Sequence, residues 1–93
     1  MKGTIKAHRH FKFVMNNGKK TVAKNYIMFS MPMEKFIQQF KGYTGENWVY
    51  GIMTTKKLGN AVARNYIKRK LRVEIKSKNF HNVALVFVGR LFN

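Results

Sequence analysis

The sequence predicts a single-domain α+β protein, a two-layer sandwich in which helices pack on a small central sheet. Its 93 residues suffice for one hydrophobic core and leave no room for a second. Segments with the spacing of helices alternate with short runs that are typical of strands. A hydrophobic content of 45%, with eight Phe, four Tyr and one Trp, excludes a disordered basic tail. Cysteine is absent, so neither a disulfide nor a thiolate metal site is expected.

The first third of the chain is predicted to form a helix and then a strand. Residues 5–15 carry apolar side chains among Lys, Arg and His, and Gly18 follows them as a helix stop that can adopt positive φ. Lys19 and Lys20 are expected to form a basic turn. Residues 24–31 are rich in aromatic and β-branched side chains that alternate between two faces, which predicts a strand.

The only proline ends this strand and is followed by a segment with two possible structures. Apolar side chains in residues 33–40 have i, i+3, i+4, i+7 spacing, which fits two turns of amphipathic helix. A long hairpin loop with an apolar face fits equally well. Residues 47–55 predict a second strand, in which Trp48 and Tyr50 are expected in the core or on a strand face. Residues 82–88 predict a third strand, whose unbroken apolar run indicates burial on both faces.

A strongly basic helix is predicted between the last two strands. Residues 56–72, KKLGNAVARNYIKRKLR, are dense in Lys and Arg and contain no acidic residue. Gly59 and Asn60 can serve as turn and cap for a helix over residues 61–76. At about 100° per residue, six polar side chains of this helix fall within one arc of roughly 140°. They are Arg64, Asn65, Lys68, Arg69, Arg72 and Lys76.

Apolar side chains occupy most of the rest of the same helix. They are Val62, Ala63, Tyr66, Ile67, Leu71 and Val73. Lys70 and Glu74 interrupt this apolar arc, and Ile75 falls beside the basic one, so the two kinds of side chain are separated incompletely.

The charge pattern favours a polyanionic partner. The formal net charge is +16, and self-repulsion of that size destabilises a compact state unless a partner neutralises it. Arg64, Lys68 and Arg72 repeat like charge at i,i+4 spacing, where repulsion costs a few tenths of a kcal/mol. Nucleic acid is the leading class of partner and a membrane surface the second. A charge run that is merely solvated is the alternative.

The chain is expected to contain no catalytic and no metal-ligating residue. Phosphodiester hydrolysis by protein alone needs carboxylates that hold metal ions, or an acid and a base in register. The three Glu residues lie in unrelated segments of the sequence. His8 and His10 are two residues apart, which places them on different faces of a helix. His81 stands alone at a strand entrance, where a structural or RNA-facing role is expected.

The basic segment resembles the signature of the bacterial ribonuclease P protein component, the protein subunit of the RNA-based enzyme that removes the 5′ leader from precursor tRNA. That signature begins with two basic residues and an apolar residue, which are followed by Gly-Asn-Ala-Val. After one variable residue come Arg-Asn-Arg and Ile-Lys-Arg, and after two further variable residues the signature ends in Arg. Residues 56–72 follow it in register. The family also has an early Phe, a large apolar residue four positions later, then Gly, then an aromatic at a strand end. Phe11, Met15, Gly18 and Phe29 match these positions.

Two features differ from the family pattern. Tyr66 stands at the third position of Arg-Asn-Arg. A Tyr can still stack on a base or hydrogen-bond a phosphate. The chain ends at Asn93, where family members usually continue through another helix, and the segment from Phe36 to Phe40 is the candidate substitute for it.

The resemblance implies a ribosomal protein S5 domain 2-like fold with a left-handed crossover between the two strands that flank the basic helix. The general rule for parallel strands joined through a helix is a right-handed crossover. The expectation here follows the resemblance.

The resemblance also implies the function and the site residues. The RNA subunit cleaves the substrate with its bound Mg²⁺, and the protein side chains alone bind no cofactor. The partners are ribonuclease P RNA and precursor tRNA, with the protein as a monomer in a 1:1 ribonucleoprotein in the cytoplasm or an organelle matrix. Contacts to the catalytic RNA are expected from Lys56, Lys57, Asn60, Arg64, Asn65, Tyr66, Lys68, Arg69 and Arg72. The cleft for the single-stranded leader is expected at Phe11, Met15 and Phe29.

Other interpretations are open at this point. A ribosomal protein or other structural RNA binder would share the charge, the size and the lack of catalytic groups. A membrane-surface protein is disfavoured because the aromatic residues spread over strands, and residues 1–13 have no apolar run typical of a signal peptide. Phe11 and Phe29 could be ordinary core residues, and Asn60 and Asn65 could be capping or turn residues.

Overall fold

The computed structural model describes residues 3–5 and 7–90, which form one mixed sheet with helices on both faces. The strands are β1 (Gly3–Thr4), β2 (Lys19–Val22), β3 (Tyr26–Pro32), β4 (Val49–Met53) and β5 (Val83–Gly89). The helices are α1 (His8–Asn17), α2 (Met33–Gln39) and α3 (Ala61–Lys76), and 3-10 turns cover Lys41–Tyr43 and Lys56–Leu58. None of the described helices combines the length and apolar character needed to cross a bilayer.

β5 is the central strand of the five-stranded sheet, whose order is β1-β4-β5-β3-β2. β4 runs parallel to β5 and β1, whereas β3 is antiparallel to β5 and β2 is antiparallel to β3. Ala84, Leu85, Val86 and Phe87 of β5 are each at most 1% exposed. The predicted burial of this strand on both faces is therefore confirmed.

Each face of the sheet carries its own hydrophobic cluster. Ala84 and Val86 point to the face that α1 and α2 cover, whereas Leu85 and Phe87 point to the face that α3 covers. The α+β class with one small sheet is confirmed. The sheet is, however, the middle of three layers rather than one of two, because the alternating apolar side chains of β5 need cover on both sides.

α3 has the predicted bounds and the predicted cap. The Oδ1 atom of Asn60 accepts a hydrogen bond of 3.0 Å from the backbone N–H of Ala63, which satisfies one of the free donors at the helix start. Gly59 precedes it with a φ of 116°, a conformation that favours glycine. α3 joins the parallel strands β4 and β5, as the resemblance implies. The hand of that crossover stays a prediction.

The first third of the chain differs from the prediction in two respects. Lys19 and Lys20 are not a turn but the start of β2, which pairs antiparallel with β3. All four residues of β2 are exposed, so no burial pattern marks this edge strand in the sequence. β1 was also missed, and the helix expected over residues 5–15 occupies His8–Asn17 instead.

The segment after β3 is a helix, so the hairpin-loop alternative is wrong. α2 packs on β3 and β5, on the same face of the sheet as α1. Met33 and Phe36 are buried there. Whether residues 36–40 replace a further helix of the family stays a prediction.

Glycine is required at position 18, directly after α1, by a lack of space and not by a positive φ. Its φ is −91°, which other residues also adopt. A Cβ atom at Gly18 would lie 2.6 Å from the carbonyl oxygen of Val14 and 2.8 Å from that of Ser30. Both oxygens belong to the main chain of regular elements and have little freedom to move. The close approach of α1 to β3 therefore requires glycine.

Replacing Gly18 should destabilise the fold. We expect Gly18→Ala to lower the free energy of unfolding by about 2 kcal/mol, since overpacking costs roughly 1–3 kcal/mol. Gly42→Ala is the matched control, because a Cβ atom there meets nothing within 4 Å. Urea denaturation of both variants checks this, and equal stabilities would contradict the steric account of Gly18.

Candidate nucleic-acid interface

The polar arc predicted on α3 forms one edge of that helix, here named the basic edge: Arg64, Asn65, Lys68, Arg69, Arg72 and Lys76. Asn65, Arg69 and Arg72 are exposed, whereas Arg64 and Lys68 are half-buried. The Nε atom of Arg64 is shielded from solvent and has no hydrogen-bond partner among the described residues. Glu74, the one carboxylate of α3, falls outside this arc. The basic edge thus presents positive charge that is not balanced within its own arc.

A 3-10 turn and a capping residue lead into α3. Lys56 and Lys57 lie in the 3-10 turn before the helix, and the Lys57 side chain is exposed. The side-chain oxygen of Asn60 is engaged by Ala63, so the capping interpretation of Asn60 is confirmed. Its side-chain amide nitrogen takes no part in this hydrogen bond.

α3 has two apolar faces rather than one. Ile67, Leu71 and Ile75 are at most 4% exposed and pack on the sheet. Ile75 is thus a core residue, although the sequence placed it beside the basic arc. Three other apolar side chains of α3 face solvent and are named the outer stripe. They are Val62, Tyr66 and Val73, which are 77%, 48% and 71% exposed.

The residues predicted for the leader cleft lie on the sheet face that α1 covers. One row of paired residues crosses this face, from Gly51 to Val86, from Val86 to Phe29 and from Phe29 to Lys20. Residues opposite each other in neighbouring strands point to the same face. Val86 is fully buried, Phe29 is half-buried and Lys20 is exposed. The row therefore runs from apolar side chains in the middle of the sheet to a cation on the edge strand β2.

Side chains of α1 pack over this row. Phe11 and Met15 are half-buried and pack against the same cluster as Phe29. Gly51 makes room for the ring of Phe11, because a Cβ atom at Gly51 would lie 2.6 Å from Cζ of that ring. The three residues predicted for the cleft thus share one face, and each keeps part of its surface accessible.

A second row of paired residues extends this face. It runs from Met53 to Val88, from Val88 to Ile27 and from Ile27 to Val22. The first three are half-buried, and Val22 is 59% exposed. The two rows together with Phe11 and Met15 are named the open sheet face.

Of the open sheet face, only Phe11, Met15 and Phe29 were identified from the sequence, and the residues that were missed include Lys20, Val22 and Ile27. Lys20 and Val22 were missed because β2 was expected to begin as a turn. For Ile27, the available signal was its alternation with Phe29 along β3.

The basic edge and the open sheet face meet at the β1–β4 side of the sheet. Lys68 and Arg72 of the basic edge line a depression together with Phe11 and Gly51, and Ile5 after β1 borders it as well. α3 and α1 lie on opposite faces of the sheet, but their side chains converge around this edge. Cations and aromatic rings therefore form one continuous surface.

His10 has a structural environment. Its Nδ1 atom lies 2.8 Å from the hydroxyl oxygen of Tyr43, and its ring centroid lies 4.0 Å from that of Phe40. Burial lowers the pKa of His10, and the neighbouring charge of Arg9 lowers it further. Both effects favour the neutral form of the ring. The Nδ1 atom of His81 lies 3.3 Å from the Nδ2 atom of Asn47.

Two of the carboxylates are closer together than the sequence indicated. Glu34 and Glu46 line one depression beside α2, together with Ile37 and Asn82. Within residues 3–5 and 7–90, no three His, Asp or Glu side chains come together as a group that could hold a metal ion.

Comparison with known proteins identifies related sequences. A family model described as Ribonuclease P matches residues 2–90. The ribonuclease P protein component of Staphylococcus carnosus is 36% identical over 72 residues, which are 77% of this chain and 55% of that protein. The Bacillus cereus (strain AH187) counterpart is 32% identical over 74 residues, 80% of this chain and 56% of that protein. The chain thus spans about half the length of the curated relatives it matches.

Solved structures support the fold. A Staphylococcus aureus RNase P protein mutant with defective mRNA degradation activity matches with a TM-score of 0.75 at 24% identity, covering 94% of this chain and 68% of that one. The RNase P protein from Thermotoga maritima matches with a TM-score of 0.71 at 19% identity, covering 94% and 73%. Since the family model also spans nearly all of the sequence, this chain belongs to the ribonuclease P protein family.

Proposed function

We propose that this chain is the protein subunit of ribonuclease P, which binds the catalytic RNA and the 5′ leader of precursor tRNA and assists removal of the leader. The observation that carries the proposal is the continuity of the basic edge with the open sheet face at Lys68, Arg72 and Phe11. A surface with cations on one side and half-buried aromatic rings on the other suits a folded RNA and a single strand held side by side.

The basic edge is the proposed contact with the RNA subunit. Lys and Arg side chains that neutralise phosphates release condensed counterions, which supplies much of the affinity of such complexes. Arg69 and Arg72 are exposed and free to reach phosphates, and Lys57 extends the cationic surface before the helix. The net charge of +16 also speeds encounter with a polyanion.

The open sheet face is the proposed contact with the leader. Aromatic rings stack on bases with little sequence preference, which suits a segment that varies from one precursor tRNA to the next. Phe11 and Phe29 offer partly exposed rings, and Met15 offers a flexible apolar side chain beside them. Lys20, at the end of the Phe29 row, is the proposed contact with the phosphate backbone.

Cleavage itself is assigned to the RNA subunit. Magnesium ions bound by that RNA would activate the attacking water and stabilise the leaving oxygen. The protein contributes binding and charge neutralisation, as one copy per RNA in the cytoplasm or an organelle matrix.

Reconstitution tests this division of labour. At low magnesium concentration, we expect the RNA subunit of the same organism to cleave precursor tRNA slowly alone and much faster with the protein, because bound cations reduce phosphate repulsion. The protein alone should give no product. Cleavage by the protein alone would refute the assisting role, and a lack of stimulation would favour a structural RNA binder instead.

The salt dependence of RNA binding tests the basic edge. We expect Arg69→Ala to weaken association with the RNA subunit and to lower the slope of log K against log salt by about 0.9, the value for one phosphate contact. Arg64→Ala should act in the same direction, with its melting temperature measured because Arg64 is half-buried. Lys41→Ala, in the turn after α2, is the control. Unchanged slopes in both Arg variants would remove the basic edge from the interface.

Phe29 tests the leader cleft. We expect Phe29→Ala to weaken binding of precursor tRNA to the holoenzyme by about 1–3 kcal/mol, the value of one base–aromatic stack, and to leave mature tRNA nearly unaffected. Phe29→Leu keeps an apolar side chain in the sheet and separates stacking from folding. Competition binding with both tRNAs provides the measurement, and equal losses for the two would argue against the cleft.

A further inference from the structure

We infer that the outer stripe of α3, formed by Val62, Tyr66 and Val73, is a docking surface for an unpaired nucleobase of an RNA. The inference rests on the proposed function, because it adds a stacking contact to the basic edge of the same helix. It concerns the position at which this chain differs from the family signature, Tyr66.

The outer stripe is a narrow line of side chains, about 16 Å long at 1.5 Å per residue, that points away from the sheet. At about 100° per residue, Val62, Tyr66 and Val73 fall within an arc of roughly 40°, and that arc lies roughly 160° from the centre of the buried face. The buried face already has its own apolar residues, Ile67 and Leu71 among them. The stripe is therefore not needed to hold α3 on the sheet.

The three side chains of the outer stripe are more exposed than apolar side chains of a helix usually are. Val62 and Val73 are 77% and 71% exposed, and 48% of Tyr66 is accessible. The solvent side of a helix is normally polar, because apolar side chains gain nothing there. Three large apolar side chains in a row on the basic helix α3 indicate a surface that a bound partner covers.

Cations flank the stripe and join it to the basic edge. The Nζ atom of Lys70 lies 5.5 Å from the ring centroid of Tyr66. Tyr66, Arg69, Lys70 and Val73 line one shallow depression. Arg69 also lines the neighbouring depression on the basic edge, together with Lys68. A ligand that binds the basic edge therefore reaches Tyr66 without leaving the surface of α3.

This combination fits an unpaired nucleotide better than other occupants. A base has a flat apolar face for the Tyr66 ring, and its phosphate is the natural partner of Arg69 or Lys70. A base inside a duplex is already stacked on its neighbours, so the occupant is unpaired. A second copy of this chain would bring the cations that flank its own stripe close to those that flank this one, which is unfavourable.

Two hairpin RNAs test the inference, one with a single unpaired adenosine bulge and one fully paired. We expect Tyr66→Ala in the full chain to bind the bulged hairpin about tenfold more weakly, as loss of one base stack predicts, and the paired hairpin as before. Tyr66→Phe should retain the affinity because it keeps the ring. Fluorescence of 2-aminopurine at the bulge should be quenched by the wild type and by Tyr66→Phe only.

Salt dependence separates stacking from charge. Tyr66→Ala should leave the salt slope unchanged, because the side chain that it removes carries no charge. Tyr66→Arg, which restores the family signature, should raise the slope by about 0.9 and reduce the preference for the bulged hairpin. Thermal unfolding of each variant controls for folding.

Equal weakening for both hairpins, or no weakening for either, would overturn the inference. If Arg69→Ala weakens RNA binding while Tyr66→Ala does not, only the stacking contact fails. If neither variant changes RNA binding, the proposed function of the basic edge fails as well. Self-association, or binding to phosphatidylserine vesicles, that depends on Tyr66 while RNA affinity does not would assign the stripe to another occupant and also overturn the inference.

Discussion

Burial of β5 on both faces is the constraint on which the rest of the structure depends. Its consecutive apolar side chains point alternately to the two faces, so neither face can be left to solvent. A short chain meets this need with α1 and α2 on one face and α3 on the other. α3 uses one side for this cover and exposes much of the rest. The basic edge exists because α3 needs only Ile67, Leu71 and Ile75 to hold it on the sheet.

The described charged side chains lie on the exposed sides of the helices and strands and not in the two buried clusters. Cations are absent from the buried clusters, and no charged residue among those described is buried. A small domain has only a few kcal/mol of net stability, so like charges gathered along one helix take a sizeable share of it. Lys78 shows the opposite arrangement, since its Nζ atom donates a 3.0 Å hydrogen bond to the hydroxyl of Tyr26. Lys78 thus has a partner within the fold, whereas the proposed partner of the basic edge is an RNA.

Much of this structure was accessible from the sequence, and the failures have physical causes. α3 was predicted with its bounds because a capping Asn, a glycine with positive φ and a periodic pattern act locally. β2 was missed because it is an exposed edge strand that exists only through its pairing with β3. Periodicity grouped the apolar side chains of α3 as one arc and left Ile75 outside it, because which of them meet the sheet depends on the neighbours of the helix. For the same reason, the meeting of Lys68 with Phe11 at one edge could not be derived from their spacing in the chain.

The tight contact at Gly18 has a consequence for how this surface can change. The distance between α1 and β3 at that point is set by main-chain atoms, the carbonyl groups of Val14 and Ser30, and not by the side chains that line the cleft. We therefore expect that side chains such as Met15 and Phe29 can be exchanged without altering the separation of α1 and β3 at Gly18. Substitutions can therefore vary the lining of the proposed leader cleft while the spacing of α1 and β3 at Gly18 stays constant.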